Sequence, residues 1–154
     1  MYLLSIVLVM LVFPLATIGV EAAVHPDAAS LFWLTGKWFT FFAVGVRLFL
    51  AGVRQTTKPS FTASAIFKLD GPGAYPLVRE VGFGNLSIGT LGLASLIMPA
   101  WVVPAALVGG LYYGLAGAGH VINPERNMKE QVALVSDLLI FVLLAVFVIG
   151  SLAF

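Results

Sequence analysis

The sequence predicts an all-α integral membrane protein: a four-helix transmembrane bundle preceded by one further transmembrane helix, five spans in a single domain over residues 1–154. Three observations predict it. The chain is 60% hydrophobic and 10% charged, against roughly 25% charged in an ordinary soluble domain, and its mean hydropathy is +1.05. Apolar runs of about 20 residues recur, the length a helix needs to cross a hydrocarbon core about 30 Å thick. Third, most of the basic residues fall in or beside two connections, 54–80 and 119–137, so one face of the membrane is decorated and the other is nearly bare.

The first span, about 1–20, has no Lys or Arg in front of it. A secretory signal has a basic n-region and an apolar core of about 7–15 residues. The segment therefore reads as a retained helix, while the small residues of Val20-Glu21-Ala22 leave cleavage by a signal peptidase open. Residues 21–30 form a loop ending His25-Pro26-Asp27-Ala28-Ala29-Ser30, with Ser30 placed to cap the next helix. That second span runs over about 31–53. Trp33 and Trp38 near its start resemble an interfacial aromatic belt, and Lys37 at the same end is expected to snorkel outward.

The connection 54–78 is the longest. It opens with Thr56-Thr57-Lys58-Pro59 and closes with Gly71-Pro72-Gly73-Ala74-Tyr75-Pro76. Between them Phe61–Leu69, with Phe61, Ile66, Phe67 and Leu69 apolar, predicts a short helix at the interface, too short to span. A third span over about 77–98 turns at Pro99-Ala100-Trp101 into a fourth over about 102–119. Asn123-Pro124-Glu125-Arg126 is a turn, and the last span covers about 131–154.

Orientation follows from the basic residues. Arg54, Lys58, Lys68 and Arg79 lie in one connection and Arg126 and Lys129 in another, whereas 21–30 and 99–101 have none. Five spans alternate these sets correctly, which puts the basic connections in the cytoplasm and the C-terminus outside, in a bacterial inner membrane.

Helices in lipid associate through small residues that let backbones approach. The third span carries Gly82, Asn85, Gly89 and Gly92 at steps of three and four, one stripe on a helix. The fourth carries Ala106, Gly110, Gly114 and Gly117. Both stripes are expected to face inward, against each other or other spans.

Polar groups within the spans are expensive in hydrocarbon, about 2.5–3.5 kcal/mol for a charge at the centre on insertion scales, and so face the bundle or water. Arg47, Arg79, Glu80, Asn85, His120 and Asp137 come from four helices at similar depth and form the candidate polar pocket. Arg47 is expected to pair with Glu80 or Asp137, a structural pairing rather than a proton relay, since an Arg-paired carboxylate is held ionised.

Other chemistries find little support. With no cysteine, the chain has no disulfide and no thiolate ligand of its own. Its two histidines, His25 and His120, belong to opposite faces in this topology, and no pair stands at metal-ligand spacing. There is no Ser/His/Asp set and no phosphate-binding loop; Gly71-Pro72-Gly73 is a turn. A net charge of +1 without a dense basic run gives no nucleic-acid partner.

From the second span onward the order of motifs is familiar. Val46-Arg47-Leu48-Phe49-Leu50-Ala51-Gly52 ends a span. Arg79-Glu80-Val81-Gly82-Phe83-Gly84-Asn85-Leu86-Ser87-Ile88-Gly89, Gly109-Gly110-Leu111-Tyr112-Tyr113-Gly114, Gly119-His120 and Val135-Ser136-Asp137 follow. Over about residues 40–154 this resembles the DoxX-like small four-helix membrane proteins, in an uncharacterised bacterial branch with an extra N-terminal span. The group includes a membrane subunit of a thiosulfate:quinone oxidoreductase, so the resemblance allows a quinone or lipid ligand. The residues themselves predict no cofactor and no catalytic set. The expected function is that of a non-catalytic module in the lipid bilayer, an accessory or structural subunit beside other membrane subunits or in a homo-oligomer. The alternative is a quinone- or lipid-binding protein with Tyr112 and Tyr113 lining its site.

Overall fold

The computed structural model describes residues 2–65, 69, 71–122, 125 and 127–153. Regular structure among these is helical throughout: α1 (Leu3–Val24), α2 (Leu31–Thr57), α3 (Pro59–Ala65), α4 (Tyr75–Ala94), α5 (Val102–Ile122) and α6 (Met128–Ala153). Single 3-10 turns, Pro72–Ala74 and Pro99–Trp101, lead into α4 and α5. Each turn begins with a proline, which presets the backbone for a helical start and lacks an N–H to leave unpaired.

Four helices among the described residues are long and apolar enough to cross a membrane: α1, α2, α6, and α5 with its leading turn. The helix expected over 77–98 is α4, which ends at Ala94 in a turn before Pro99. Its 20 residues have the length to span at about 1.5 Å per residue, but Arg79, Glu80, Asn85 and Gly82, Gly84, Gly89 and Gly92 make it the least apolar of the long helices.

Local chemistry sets several helix ends. Ser30 Oγ accepts the Trp33 N–H at 3.2 Å and starts α2. At α6, Asn127 Oδ1 accepts the N–H groups of Lys129 and Glu130 at 2.9 and 3.0 Å, and Glu130 returns a carboxylate oxygen to the Asn127 N–H at 2.6 Å. This reciprocal cap begins the helix at Met128 rather than near 131. The short helix expected at the interface is Pro59–Ala65; of the stretch expected to be helical, residues 66–68 lie outside the described residues.

The small-residue stripes choose different partners. The α4 stripe lies on α2, where a Cβ at Gly45 would sit 2.8 Å from the Gly92 carbonyl carbon and one at Gly52 would sit 2.7 Å from the Leu86 nitrogen. Gly89 similarly abuts the Phe49 backbone. The α5 stripe lies on α6, with Gly110 against Leu144, Gly114 against Phe141 and Gly117 against Leu138. Although α4 and α5 are joined by a short turn, the stripes do not face one another. The bundle is therefore two close helix pairs, α2–α4 and α5–α6. Leu34, Val44, Ala106, Tyr113, Ile140, Leu144 and Phe147 form the buried seam that joins them.

Helix α1 lies outside this pairing and is the least buried of the candidate spans. Phe13 meets Phe42 of α2 with ring centroids 5.9 Å apart. Glu21, near the end of α1, accepts Lys37 Nζ at 2.7 and 2.8 Å and the Trp38 indole N–H at 2.6 Å. Lys37 thus bends to a carboxylate instead of snorkelling free, because α1 brings Glu21 within reach. Leu4, Leu15 and Val20 of α1, Leu111 and Leu115 of α5, and Val142 and Ile149 of α6 stay exposed, as lipid-facing positions do.

Candidate functional site

Two stretches depart from ordinary α-helix: Leu8–Val12 in α1 and Thr40–Arg47 in α2 wind as π-helix. The second matters for the site. Wider winding redirects side chains and loosens the carbonyl ladder, and it delivers Arg47 into the bundle interior. Within that stretch the Ala43 carbonyl accepts the Tyr113 hydroxyl of α5 at 2.5 Å. The Tyr113 ring is fully buried and lies 5.2 Å from the Arg47 guanidinium.

Arg47 Nη1 donates to Asp137 Oδ1 of α6 at 2.9 Å, and Nη2 reaches Ser136 Oγ at 3.4 Å. Ser136 donates in turn to the Ala133 carbonyl at 3.0 Å, which anchors it to its own helix. The ion pair is mostly desolvated. A bare charge at this depth would be costly; each partner neutralises the other.

Asn85 faces the same space from α4. Its amide nitrogen donates to Gln55 Oε1 of α2 at 2.7 Å. The residue is 2% exposed; its amide stands near the Tyr112 hydroxyl, but its Oδ1 makes no hydrogen bond to the protein. Around these groups lies a cavity of about 330 Å³. Its polar wall includes Arg47, Arg54, Asp137, Asn85, Gln55, Tyr112 and His120; aliphatic groups of α1 and α2, including Ile6, Val9 and Leu48, make its apolar wall. Phe61 and Thr62 of α3 also line it. The N-terminal helix is therefore part of the cavity wall and not an appendage.

The six residues grouped in the sequence reading separate here. Arg47, Asn85, His120 and Asp137 line the cavity. Arg79 and Glu80 are exposed and line no part of it. Similar depth does not fix the direction a side chain takes around its helix: Val78, Gly82, Asn85, Gly89 and Gly92 form the buried face of α4, and 79 and 80 fall on the other side. Gln55 was not anticipated. It stands eight residues after Arg47, two turns along the same helix face, and that spacing was the available signal.

Arg79 belongs instead to a second, outer hollow of about 480 Å³ with Arg54, Lys58, Ser60 and Tyr75. Arg54 and Phe61 border both spaces. The Arg54 guanidinium sits 3.7 Å from the Phe61 ring centroid, and Lys129 Nζ lies 5.2 Å from it, so two cations hold this ring between the two spaces.

Chemically the inner cavity offers a neutralised ion pair, the Arg54 guanidinium at its border, two amides, a phenol and an imidazole above an aliphatic floor. That set can orient the polar end of a small amphiphile. Among the described residues no three His, Asp or Glu side chains gather as metal ligands.

No curated protein and no solved structure matches the chain. The model of a family of unknown function, DUF6790, matches residues 3–153 and so covers every helix that walls the cavity; the chain belongs to that family.

Proposed function

We propose that this protein is a non-catalytic membrane-embedded binding module whose inner cavity takes the polar head of an amphiphile, a quinone or a lipid. One observation carries the reading: Asn85 Oδ1 is buried against that cavity without a partner. A buried polar atom left unpaired costs about 1–3 kcal/mol. A ligand hydroxyl, from a lipid head group or from the quinol form of a quinone, donates to it and relieves that cost. Because a hydroxyl both donates and accepts, it suits the amide in either orientation. A cavity of about 330 Å³ lies at the lower end of small-molecule sites, which run from about 300 to 1,000 Å³, and fits a head group whose tail leaves between helices. The DoxX-like resemblance agrees with a quinone-linked role. The pattern of basic connections supports a position for the cavity in the cytoplasmic half of a bacterial inner membrane, in a reading with five spans in which α4 completes the alternation.

The test is extraction of small molecules from the full chain purified in mild detergent, read by mass spectrometry. A quinone or hydroxylated lipid retained by the native chain, and depleted in Asn85→Leu and Arg47→Met, supports the reading. Identical extracts from native and variant chains overturn it.

A second reading, an accessory subunit of a larger complex, is favoured by α1. This helix keeps Leu3, Leu4, Phe13, Leu15 and Val20 exposed, an apolar face suited to a neighbouring subunit or to lipid. Stoichiometric co-purifying membrane proteins, lost when that face is altered, would establish it.

A further inference from the structure

We infer that the outer hollow between the ends of α2 and α4 binds the phosphate of an anionic phospholipid. Arg54, Lys58 and Arg79 line it, with the Ser60 hydroxyl and Tyr75 beside them. Three cations around one hollow repel each other unless an anion lies between them. The chain does not supply that anion among the described residues: its ion pairs there are Lys37 with Glu21 and Arg47 with Asp137, both elsewhere. Glu80, next to Arg79 in sequence, is exposed and does not line the hollow. Arg54 is already held in place by the Phe61 ring at 3.7 Å, so part of the ordering cost of binding is met before the ligand arrives.

The hollow has room for a head group, about 480 Å³, and the surface beneath it selects a lipid over free phosphate. Leu50 precedes Arg54 by one helical turn, and Phe83 follows Arg79 by one turn. Each is on the same face as its cation and one turn deeper in the membrane. Both are more than half exposed, at 57% and 51%, and Leu50 stands where the outer hollow meets the inner cavity, which it also lines. Phosphate in the hollow therefore leaves an acyl chain lying along apolar side chains of both helices. Basic pockets at the cytoplasmic ends of spans recognise lipid head groups by this combination. The inference stands whether or not the inner cavity holds a ligand.

The experiment is native mass spectrometry of the full chain in detergent, titrated separately with phosphatidylglycerol, phosphatidylcholine and inorganic phosphate. Phosphatidylglycerol should be retained in preference to phosphatidylcholine, and Lys58→Gln with Arg79→Gln should weaken it about 30-fold, on about 1 kcal/mol for each basic residue. The charge-keeping pair Lys58→Arg with Arg79→Lys should retain it, which separates loss of the site from loss of the fold. Equal retention of the two lipids overturns the inference, as does unchanged binding in the neutralised variant. Displacement of phosphatidylglycerol by inorganic phosphate at equal concentration makes this a free-phosphate site and overturns the lipid assignment.

Discussion

Arg47 on α2 and Asp137 on α6, ninety residues apart, meet at 2.9 Å and tie the two close helix pairs of the bundle together. Their side chains are 17% and 7% exposed, so neither has water to fall back on. Truncating one strands the other, and a buried unpaired charge costs about 3–5 kcal/mol. Asp137→Ala should therefore lower thermal stability sharply in detergent. The double variant Arg47→Met with Asp137→Leu should recover most of it, because apolar replacement of a whole buried pair is often neutral. Scanning fluorimetry of the three proteins checks this. A double variant as unstable as Asp137→Ala would show that the pair is not what the cavity wall depends on.

The α2–α4 contact makes a sharper prediction from glycines alone. Gly92 and Gly45 touch backbone to backbone, and a Cβ on either meets main chain, which cannot move aside. Gly84 on the same helix has nothing within 4 Å of where its Cβ would stand. Gly92→Ala should destabilise by about 1–3 kcal/mol, the usual cost of overpacking. Gly84→Ala should be neutral or stabilising by up to about 1 kcal/mol, since alanine is the better helix former. If both variants melt with the native chain, the helices are not packed at Gly92 as described.

What the sequence makes legible here is what lies along one helix; what it hides is direction around the axis and contact between helices. Ser30 as a cap, the spacing of Gly82, Gly89 and Gly92, and the need of Arg47 for a carboxylate all follow from local pattern and the cost of charge in lipid. The choice of Asp137 over Glu80 does not, since both lie at suitable depth and only the azimuth of α4 turns Glu80 outward. The π-winding over Thr40–Arg47 has no residue signature, yet it sets where Arg47 points. Asn127 and Glu130 were readable as a capping box, three residues apart, but the apolar run that draws the eye begins after them. Lys37 with Glu21 is a contact between two helices, and neither side chain alone announces it.

That last pair fastens to α2 the end of α1 that lies away from the cavity. Glu21 receives Lys37 and the Trp38 indole together, at about a quarter exposure, where an isolated ion pair contributes at most about 1 kcal/mol. Glu21→Gln should cost about that much globally. Its larger effect should be local: faster amide exchange in Phe13–Val24, with α6 unchanged. Uniform acceleration through all helices would mean that the contact supports the whole bundle and not the docking of α1.

Whether α4 crosses the membrane decides which face each connection occupies, and the absence of cysteine makes it directly testable. Single cysteines at Ser30, Ser60 and Ala100, each exposed, would be the only thiols in their variants, so a membrane-impermeant maleimide reports one position at a time. With α4 spanning, Ser30→Cys and Ala100→Cys label from outside intact cells, and Ser60→Cys labels only after lysis. Arg79 and Glu80 then sit at the cytoplasmic end of α4 and Asn85 a turn and a half further in, where a polar side chain needs the bundle interior it has. If Ala100→Cys labels only after lysis while Ser30→Cys labels from outside, α4 does not cross. Its polar first half would then lie along the cytoplasmic surface, and the inner cavity would open to water through it.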